Sequence, residues 1–194
     1  MQTASIVINI VIFVATFAIL VSYFRKDGKW DFRRGLAAFR YFTVLSNALC
    51  AVSALALAVC ELRGDVPEWA LTFKYLGTLT VTVTMLTVLF FLGPTMGYGA
   101  MLKNDSFYMH LVGPLLAIAS FCFLEKRDMA LSTALLGLVP VLLYGVLYLC
   151  RAILPPEGAG WGDFYGFNRN GKWPVAFAAM ILGTLAACVV LWLL

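Results

Sequence analysis

Long apolar segments separated by short polar loops dominate the chain. The apolar segments are about 20 residues long, the length that an α-helix needs to cross a bilayer. Six of them are predicted, at residues 5–24, 41–62, 71–94, 106–124, 130–151 and 173–194. Charged residues, glycines and prolines fill the intervals, as expected of loops. The pattern predicts an all-α, polytopic integral membrane protein in which residues 1–194 form one six-helix domain.

Positive charge is unequal on the two faces of the membrane. Because the number of spans is even, both termini lie on one side, here called side A, and the opposite side is side B. Of the 14 Lys and Arg residues, ten are assigned to side B and four, including Lys74 and Lys126, to side A. Positively charged loops stay in the cytoplasm. Side B is therefore predicted to be cytoplasmic, and both termini are predicted to be outside.

Composition agrees with a membrane location and excludes several other classes. The chain is 62% hydrophobic and 12% charged, whereas a soluble domain is about half apolar and about a quarter charged. No block of like charge indicates nucleic-acid binding. The five cysteines form no C-x-x-C pair, and there is one histidine, which excludes a multi-histidine metal site. We predict no metal and no cofactor, and we expect membrane lipids as substrate or ligand.

The loops on side B are long and contain aromatic residues. In the first of them, Trp30, Phe32, Leu36 and Phe39 have helical spacing, which predicts a short amphipathic helix in the membrane interface. A simple membrane anchor is the alternative interpretation. The last loop, residues 152–172, is rich in glycine and aromatic residues. Ordered loops of this length often have a function.

Three hydrogen-bonding residues share one face at the start of the second span. Thr43, Ser46 and Asn47 are at positions i, i+3 and i+4 of the predicted helix, so their side chains point to one side. Polar groups inside a membrane are costly and are functional candidates. Hydrogen bonding between helices is the alternative role for this face.

His110 is predicted to lie at the same membrane depth as Thr43. Both are a few residues inside their spans from side B, which places them about 3 to 6 Å below that boundary. A histidine can take the proton of a hydroxyl and activate it as a nucleophile. Asn47 is a candidate donor to a developing oxyanion, and Ser46 a supporting residue. Asp105 and Asp163 are candidates for the third residue that would orient the histidine.

A second polar face is predicted at the end of the fifth span. Tyr144, Tyr148 and Arg151 are at i, i+4 and i+7, and this face points toward side B. The three residues are candidates for lining a pocket for a lipid headgroup or a carboxylate. An aromatic belt with a snorkelling arginine is an equally good interpretation.

Four segments occur in an order that is typical of one family. These are "RYFTVLSNAL", the threonine-rich third span, "HLVGP" and "LLYGVLYLCR". Together they resemble the androgen-induced protein family, which includes the androgen-dependent TFPI-regulating protein and a large bacterial branch. Eukaryotic members are membrane hydrolases that use a threonine and a histidine to cleave fatty acid esters of hydroxy fatty acids.

The resemblance implies roles for two residues and a location for the chain. It implies that Thr43 is the nucleophile and that His110 is its base. Ser46 and Asn47 in "TVLSN" make the chain more similar to the bacterial branch, which implies a bacterial inner membrane. The leading hypothesis is therefore a lipid ester hydrolase. A lipid or small-molecule binding or transport protein without catalysis is the second hypothesis, and a purely structural membrane protein is the third.

Overall fold

The computed structural model describes residues 1–125, 127–156 and 158–194. Within these ranges, six helices are long and apolar enough to cross a membrane, at Gln2–Tyr23, Phe42–Arg63, Glu68–Met96, Asp105–Glu125, Leu131–Ile153 and Trp173–Leu193. The predicted fold class is confirmed: this is an all-α integral membrane protein. Lys126, one of the basic residues assigned to side A, lies outside the described residues.

Several of the spans are built from more than one helical segment. The α-helices are α1 Gln2–Tyr23, α2 Phe32–Ala38, α3 Phe42–Arg63, α4 Glu68–Thr87, α5 Gly93–Met96, α6 Tyr98–Met101, α7 Asp105–Phe107, α8 Gly113–Ser120, α9 Leu131–Leu135, α10 Leu138–Tyr148 and α11 Trp173–Leu193. Wider π-helical turns occupy Val88–Leu92, Tyr108–Val112, Phe121–Glu125 and Leu149–Ile153, and a 3₁₀ turn occupies Arg169–Gly171. Two short strands, β1 Arg25–Lys26 and β2 Lys29–Trp30, pair antiparallel.

The chain divides into two compact units, Met1–Met129 and Ala130–Leu194. The first unit contains four of the spans and the second contains two. The organisation into one domain stays a prediction.

An apolar layer crosses the middle of the first unit. Its residues come from four helices and pack against one another: Ile12 of α1, Cys50 and Ala54 of α3, Val81 of α4 and Ala117 of α8. Along α1 the buried face reads Ser5, Asn9, Ile12 and Thr16, so that polar residues lie on both sides of the apolar layer. The buried face of α1 is therefore polar toward each end and apolar at Ile12.

Small residues allow α3 and α4 to approach closely. At Gly77 of α4, an added Cβ would lie 2.9 Å from the Cα of Cys50 and would overlap the hydroxyl of Ser53. Small residues at helix interfaces are typical of membrane proteins, where close backbone packing replaces the hydrophobic effect. The contact at Gly77 is therefore expected to contribute directly to stability.

We expect Gly77→Ala to destabilise the protein by about 1 to 3 kcal/mol, because the extra methyl group overpacks a backbone contact. The free energy of unfolding would be measured by denaturant titration in mixed micelles. Gly183 of α11 is the matched control, since an added Cβ there has no neighbour within 4 Å. Equal losses for Gly77→Ala and Gly183→Ala would contradict the close approach.

Prolines explain two of the π-helical turns. Pro114 has no N–H to donate to the carbonyl of His110, four residues earlier, and its ring clashes with that carbonyl. The turn Tyr108–Val112 widens, so that the N–H of Gly113 donates to the carbonyl of Tyr108. The turn Val88–Leu92 stands before Pro94 in the same way. Single π turns are frequent at functional sites, and the second of these two contains His110.

The first side B loop contains a hairpin as well as the predicted helix. Asp27 and Gly28 have φ angles of 50° and 78°, which is the geometry of the tight turn that an Asp-Gly pair favours. The side chain of Asp31 accepts a hydrogen bond from the N–H of Arg34, so Asp31 is the N-cap of α2. Phe32 and Leu36 belong to α2, as predicted, and are exposed. Trp30 belongs to β2 and not to the helix, and Phe39 is the residue that follows α2.

The second unit is a helical hairpin. α10 and α11 approach at Gly145, where an added Cβ would lie 2.7 Å from the ring of Phe177 and 2.8 Å from the methyl group of Met180. The connection between them folds back on the end of α10, where the amide N–H of Trp161 donates to the carbonyl of Arg151.

Candidate functional site

Thr43 and His110 are in direct contact in the first unit. Thr43 lies in the first turn of α3, and His110 lies in the π turn Tyr108–Val112. Their side chains meet with 3.2 Å between Thr43 Oγ1 and His110 Nε2. His110 is buried, and Thr43 is half-buried. The structure thus brings together the two residues that shared a depth in the sequence pattern.

The other ring nitrogen of His110 is held by the backbone. Nδ1 lies 2.7 Å from the carbonyl oxygen of Met101 at the end of α6. A carbonyl only accepts, so Nδ1 must carry the hydrogen, and the neutral ring then has Nε2 as its acceptor. The hydroxyl of Thr43 therefore donates to Nε2. This is the arrangement in which an imidazole can remove the proton of a hydroxyl.

A backbone carbonyl contacts the ring nitrogen of His110 that a carboxylate contacts in a catalytic triad. From the sequence, Asp105 and Asp163 were the candidates for orienting His110. In the structure, Met101 contacts Nδ1, Asp105 is exposed at the start of α7, and the hydrogen bonds of Asp163 are made inside the second unit. Sequence patterns give no sign of such a carbonyl, because any residue type can supply it.

Asn47 connects the two segments that hold the pair. Its amide nitrogen donates to the carbonyl of Thr43 at 2.8 Å and to the carbonyl of Met109 at 3.0 Å. An amide group has two N–H bonds, and both are used here. The role of oxyanion donor that the sequence suggested for Asn47 therefore does not fit this arrangement. Asn47 instead fixes α3 against the π turn that carries His110.

Ser46 connects the same segment of α3 to α4. Its hydroxyl lies 3.1 Å from the carbonyl of Thr43 and 2.8 Å from the hydroxyl of Thr84. Thr84 in turn donates to the carbonyl of Thr80 in its own helix. Ser46 thus stabilises the turn of α3 that contains Thr43. The hydroxyl of Ser46 is directed to the Thr43 carbonyl and to Thr84, and not to His110.

Tyr108 links the π turn to α1, and the sequence pattern did not predict this link. Its hydroxyl lies 3.4 Å from Thr16 Oγ1 and 3.4 Å from the carbonyl of Ile12, both on α1. These are long hydrogen bonds, but both join the π turn to α1. The helical spacing of Ser5, Asn9 and Thr16 on α1 was the available signal, since all three polar residues point to one face.

The chain was compared with models of protein families, with curated proteins and with solved structures. None of the three comparisons finds a match.

In the second unit, Tyr148 and Asp163 organise the last loop. The hydroxyl of Tyr148 donates to Asp163 Oδ1 at 2.7 Å and accepts from the N–H of Tyr165 at 3.1 Å. Asp163 also accepts from the N–H groups of Phe167 and Asn168 at 2.9 and 2.7 Å. All the side-chain oxygens of Tyr148 and Asp163 thus form hydrogen bonds within this pair or with backbone N–H groups of the loop.

Tyr144, Tyr148 and Arg151 do not form one open polar face. Tyr144 stacks on Tyr148 with 6.1 Å between ring centroids, and both side chains are buried. Phe164, Tyr165 and Phe167 surround Tyr148 with ring centroids at 5.0, 5.2 and 5.6 Å. Arg151 is exposed, beyond the start of the π turn Leu149–Ile153. The structure therefore favours a role for the tyrosines in folding the loop, and the predicted headgroup pocket stays a prediction.

Proposed function

We propose that this protein is a membrane lipid hydrolase that cleaves fatty-acyl esters, such as fatty acid esters of hydroxy fatty acids. Thr43 is the nucleophile and His110 is the general base. The observation that supports this proposal is the 3.2 Å contact between Thr43 Oγ1 and His110 Nε2, with the tautomer of the ring set by Met101. The resemblance to the androgen-induced protein family points to the same pair.

In the first half of the proposed reaction, His110 Nε2 takes the proton of Thr43 as Oγ1 attacks the ester carbonyl. The bond between the acyl carbon and the leaving oxygen then breaks, and Nε2 gives the proton to that oxygen. The products are a free alcohol and an acyl-threonine ester. In the second half, His110 takes a proton from water, the hydroxide attacks the acyl carbon, and Thr43 leaves with the proton returned by Nε2. Nδ1 keeps its hydrogen on the Met101 carbonyl throughout.

The proposed site suits a substrate that is dissolved in the membrane. Thr43 stands at the first turn of a transmembrane helix and is half-buried, so a fatty-acyl chain can remain among lipid tails while its ester reaches the hydroxyl. Ten of the 14 basic residues of the chain belong to side B, the side of Thr43. We accordingly propose that the site faces the cytoplasmic leaflet of a bacterial inner membrane and that both termini are outside.

A fluorophosphonate probe that reacts with activated hydroxyls tests the assignment of the nucleophile. We expect the purified protein to be labelled at Thr43, because its proton has an oriented acceptor. Labelling would be read by in-gel fluorescence and located by mass spectrometry of the peptides. It should fall to background in Thr43→Val, which keeps the shape of the side chain, and in His110→Ala.

Thr95 provides the matched control for the probe. It is an exposed threonine whose hydroxyl donates to the carbonyl of Phe91 in its own helix, and Thr95→Val should label like the original protein. Labelling that survives both Thr43→Val and His110→Ala would refute the assignment. A protein that is not labelled but retains an intact lipid through purification would favour the alternative of a non-catalytic lipid carrier.

A further inference from the structure

A second cluster of charged residues is buried at the side A end of the first unit. Glu61 is in the last turn of α3, Lys74 is in α4, and Glu125 ends the fourth span. The exposed fractions of these residues are 8%, 0% and 5%. Glu61 is 18 positions after Thr43 in α3, which corresponds to a rise of about 27 Å along the helix. The cluster is therefore distinct from the candidate hydrolase site, and nothing proposed above uses it.

Glu125 and Lys74 form the fully buried ion pair of this cluster. Lys74 Nζ lies 3.7 Å from Glu125 Oε2 and donates to Asn9 Oδ1 at 2.5 Å. The other carboxylate oxygen, Glu125 Oε1, accepts from the amide of Asn9 at 2.6 Å and is contacted by the hydroxyl of Ser120. Two donors thus converge on Oε1, as expected for an ionised carboxylate, while Oε2 has the ion pair with Lys74 and no hydrogen bond among the described residues.

Ser5 of α1 lies between the two carboxyl groups. Its hydroxyl oxygen is 3.0 Å from Glu61 Oε2 and 3.0 Å from Glu125 Oε1, and it accepts from the amide of Asn9 at 3.2 Å. A serine hydroxyl has a single proton, which can lie on only one of the two O···O contacts. The other contact needs a proton from the carboxyl group, because two oxygens without a hydrogen between them repel.

The ion pair between Glu125 and Lys74 points to Glu61 as the carrier of that proton. Glu125 is already paired with Lys74, and its Oε1 also accepts from Asn9 and Ser120, so Glu125 is the better stabilised of the two groups as a carboxylate. Glu61 Oε2 has only Ser5 as a hydrogen-bond partner within the described residues. A protonated Glu61 would donate to Ser5, and Ser5 would donate to Glu125. Every O···O contact then contains one hydrogen.

The charge balance of the cluster leads to the same result. Two carboxylates and one ammonium group would leave one uncompensated negative charge among buried side chains, which is strongly unfavourable. A proton on Glu61 makes the cluster neutral. Among the described residues, the remaining charged group that acts on Glu61 is Arg127. Its guanidinium group is exposed and donates to the carbonyl of Val66, so water and salt screen its charge.

We propose that Glu61 is a proton-binding site that exchanges with the aqueous phase on side A. Its ligand is a proton from water, which adds to the carboxylate to give a neutral carboxylic acid bonded to Ser5. Glu61 is the most exposed of the three charged residues and lies two residues before the end of α3, so a short path leads to solvent. If Glu61 lost this proton, only the hydroxyl hydrogen of Ser5 would remain for the two contacts of Ser5 with Glu61 and Glu125. One of these contacts would become repulsive, and α1 would be held less tightly through Ser5.

Infrared spectroscopy of the purified protein tests this proposal directly. The carbonyl stretch of a carboxylic acid is separate from the bands of a carboxylate, and a detergent without ester groups leaves this region clear. We expect the protein at neutral pH to show one such stretch that shifts in D₂O and disappears at alkaline pH. Glu61→Gln should lack it, and Glu68→Gln should keep it, since Glu68 is an exposed glutamate at the start of α4.

The infrared results test the proton site independently of the proposed hydrolase activity. Absence of a carboxylic acid band from the original protein at neutral pH would overturn it, whatever the variants do. A band that persists in Glu61→Gln would assign the proton to another residue and would also overturn it. The side-chain amide introduced by Glu61→Gln keeps a donor toward Ser5, so we expect the variant to fold. Neither result depends on labelling of Thr43.

Discussion

Replacing His110 with alanine should lower kcat/KM for hydrolysis of a fatty-acyl ester by about 10²- to 10⁴-fold, the usual contribution of a positioned general base. The reason is that the proton of Thr43 would lose its acceptor, which lies 3.2 Å away. Initial rates on a panel of lipid esters in detergent or vesicles would measure the loss. Thr43→Val should lose at least as much, because the attacking oxygen itself is removed.

The double variant Thr43→Val/His110→Ala distinguishes a catalytic pair from two independent residues. Groups that act as one unit give strongly non-additive losses. The double variant should therefore be no slower than the slower single variant. Multiplication of the two single losses would contradict a shared step. Thr43→Ser, which keeps a hydroxyl, should retain more activity than Thr43→Val.

The largest loss of stability is expected from Lys74→Met. Methionine retains an apolar side chain of similar length but leaves Glu125 without its counter-ion in a site where both side chains are fully buried. Breaking a buried ion pair in this way costs about 3 to 5 kcal/mol. The free energy of unfolding in mixed micelles would be the measurement. Lys103→Met is the matched control, since Lys103 is exposed and its change should stay within about 0.5 kcal/mol.

Neutralising both partners should recover part of that loss. In Lys74→Met/Glu125→Gln no isolated charge remains, and the glutamine can still accept hydrogen bonds from Asn9 and Ser120. Replacement of a whole buried pair is much better tolerated than removal of one partner. A double variant that is less stable than Lys74→Met alone would show that the charge of Glu125 contributes independently of Lys74.

The spans and the candidate pair could be predicted because both depend on short segments of sequence and not on which helices are neighbours. Six runs of about 20 apolar residues specify transmembrane helices by themselves. Thr43 and His110 each stand a few residues inside a span from the same side, and helices of fixed rise convert that position into a common depth. Neither inference needed to know which helices are neighbours.

The contacts that depend on helix neighbours were not predictable. Lys74 was assigned to side A from its position near a span end, but α4 begins at Glu68 and Lys74 is fully buried. Its partners Asn9 and Glu125 are distant in sequence, and only the packing of α1 and α4 with the fourth span brings them together. Met101 orients His110 through a backbone carbonyl, which has no residue signature.

The apolar layer of Ile12, Cys50, Ala54, Val81 and Ala117 separates the two polar regions of the first unit. The hydroxyl groups of Ser53 and Thr80 beside this layer donate to carbonyls of their own helices. We therefore expect the first unit to keep its two polar regions electrically apart, so that vesicles containing the protein should hold a proton gradient as long as empty vesicles do.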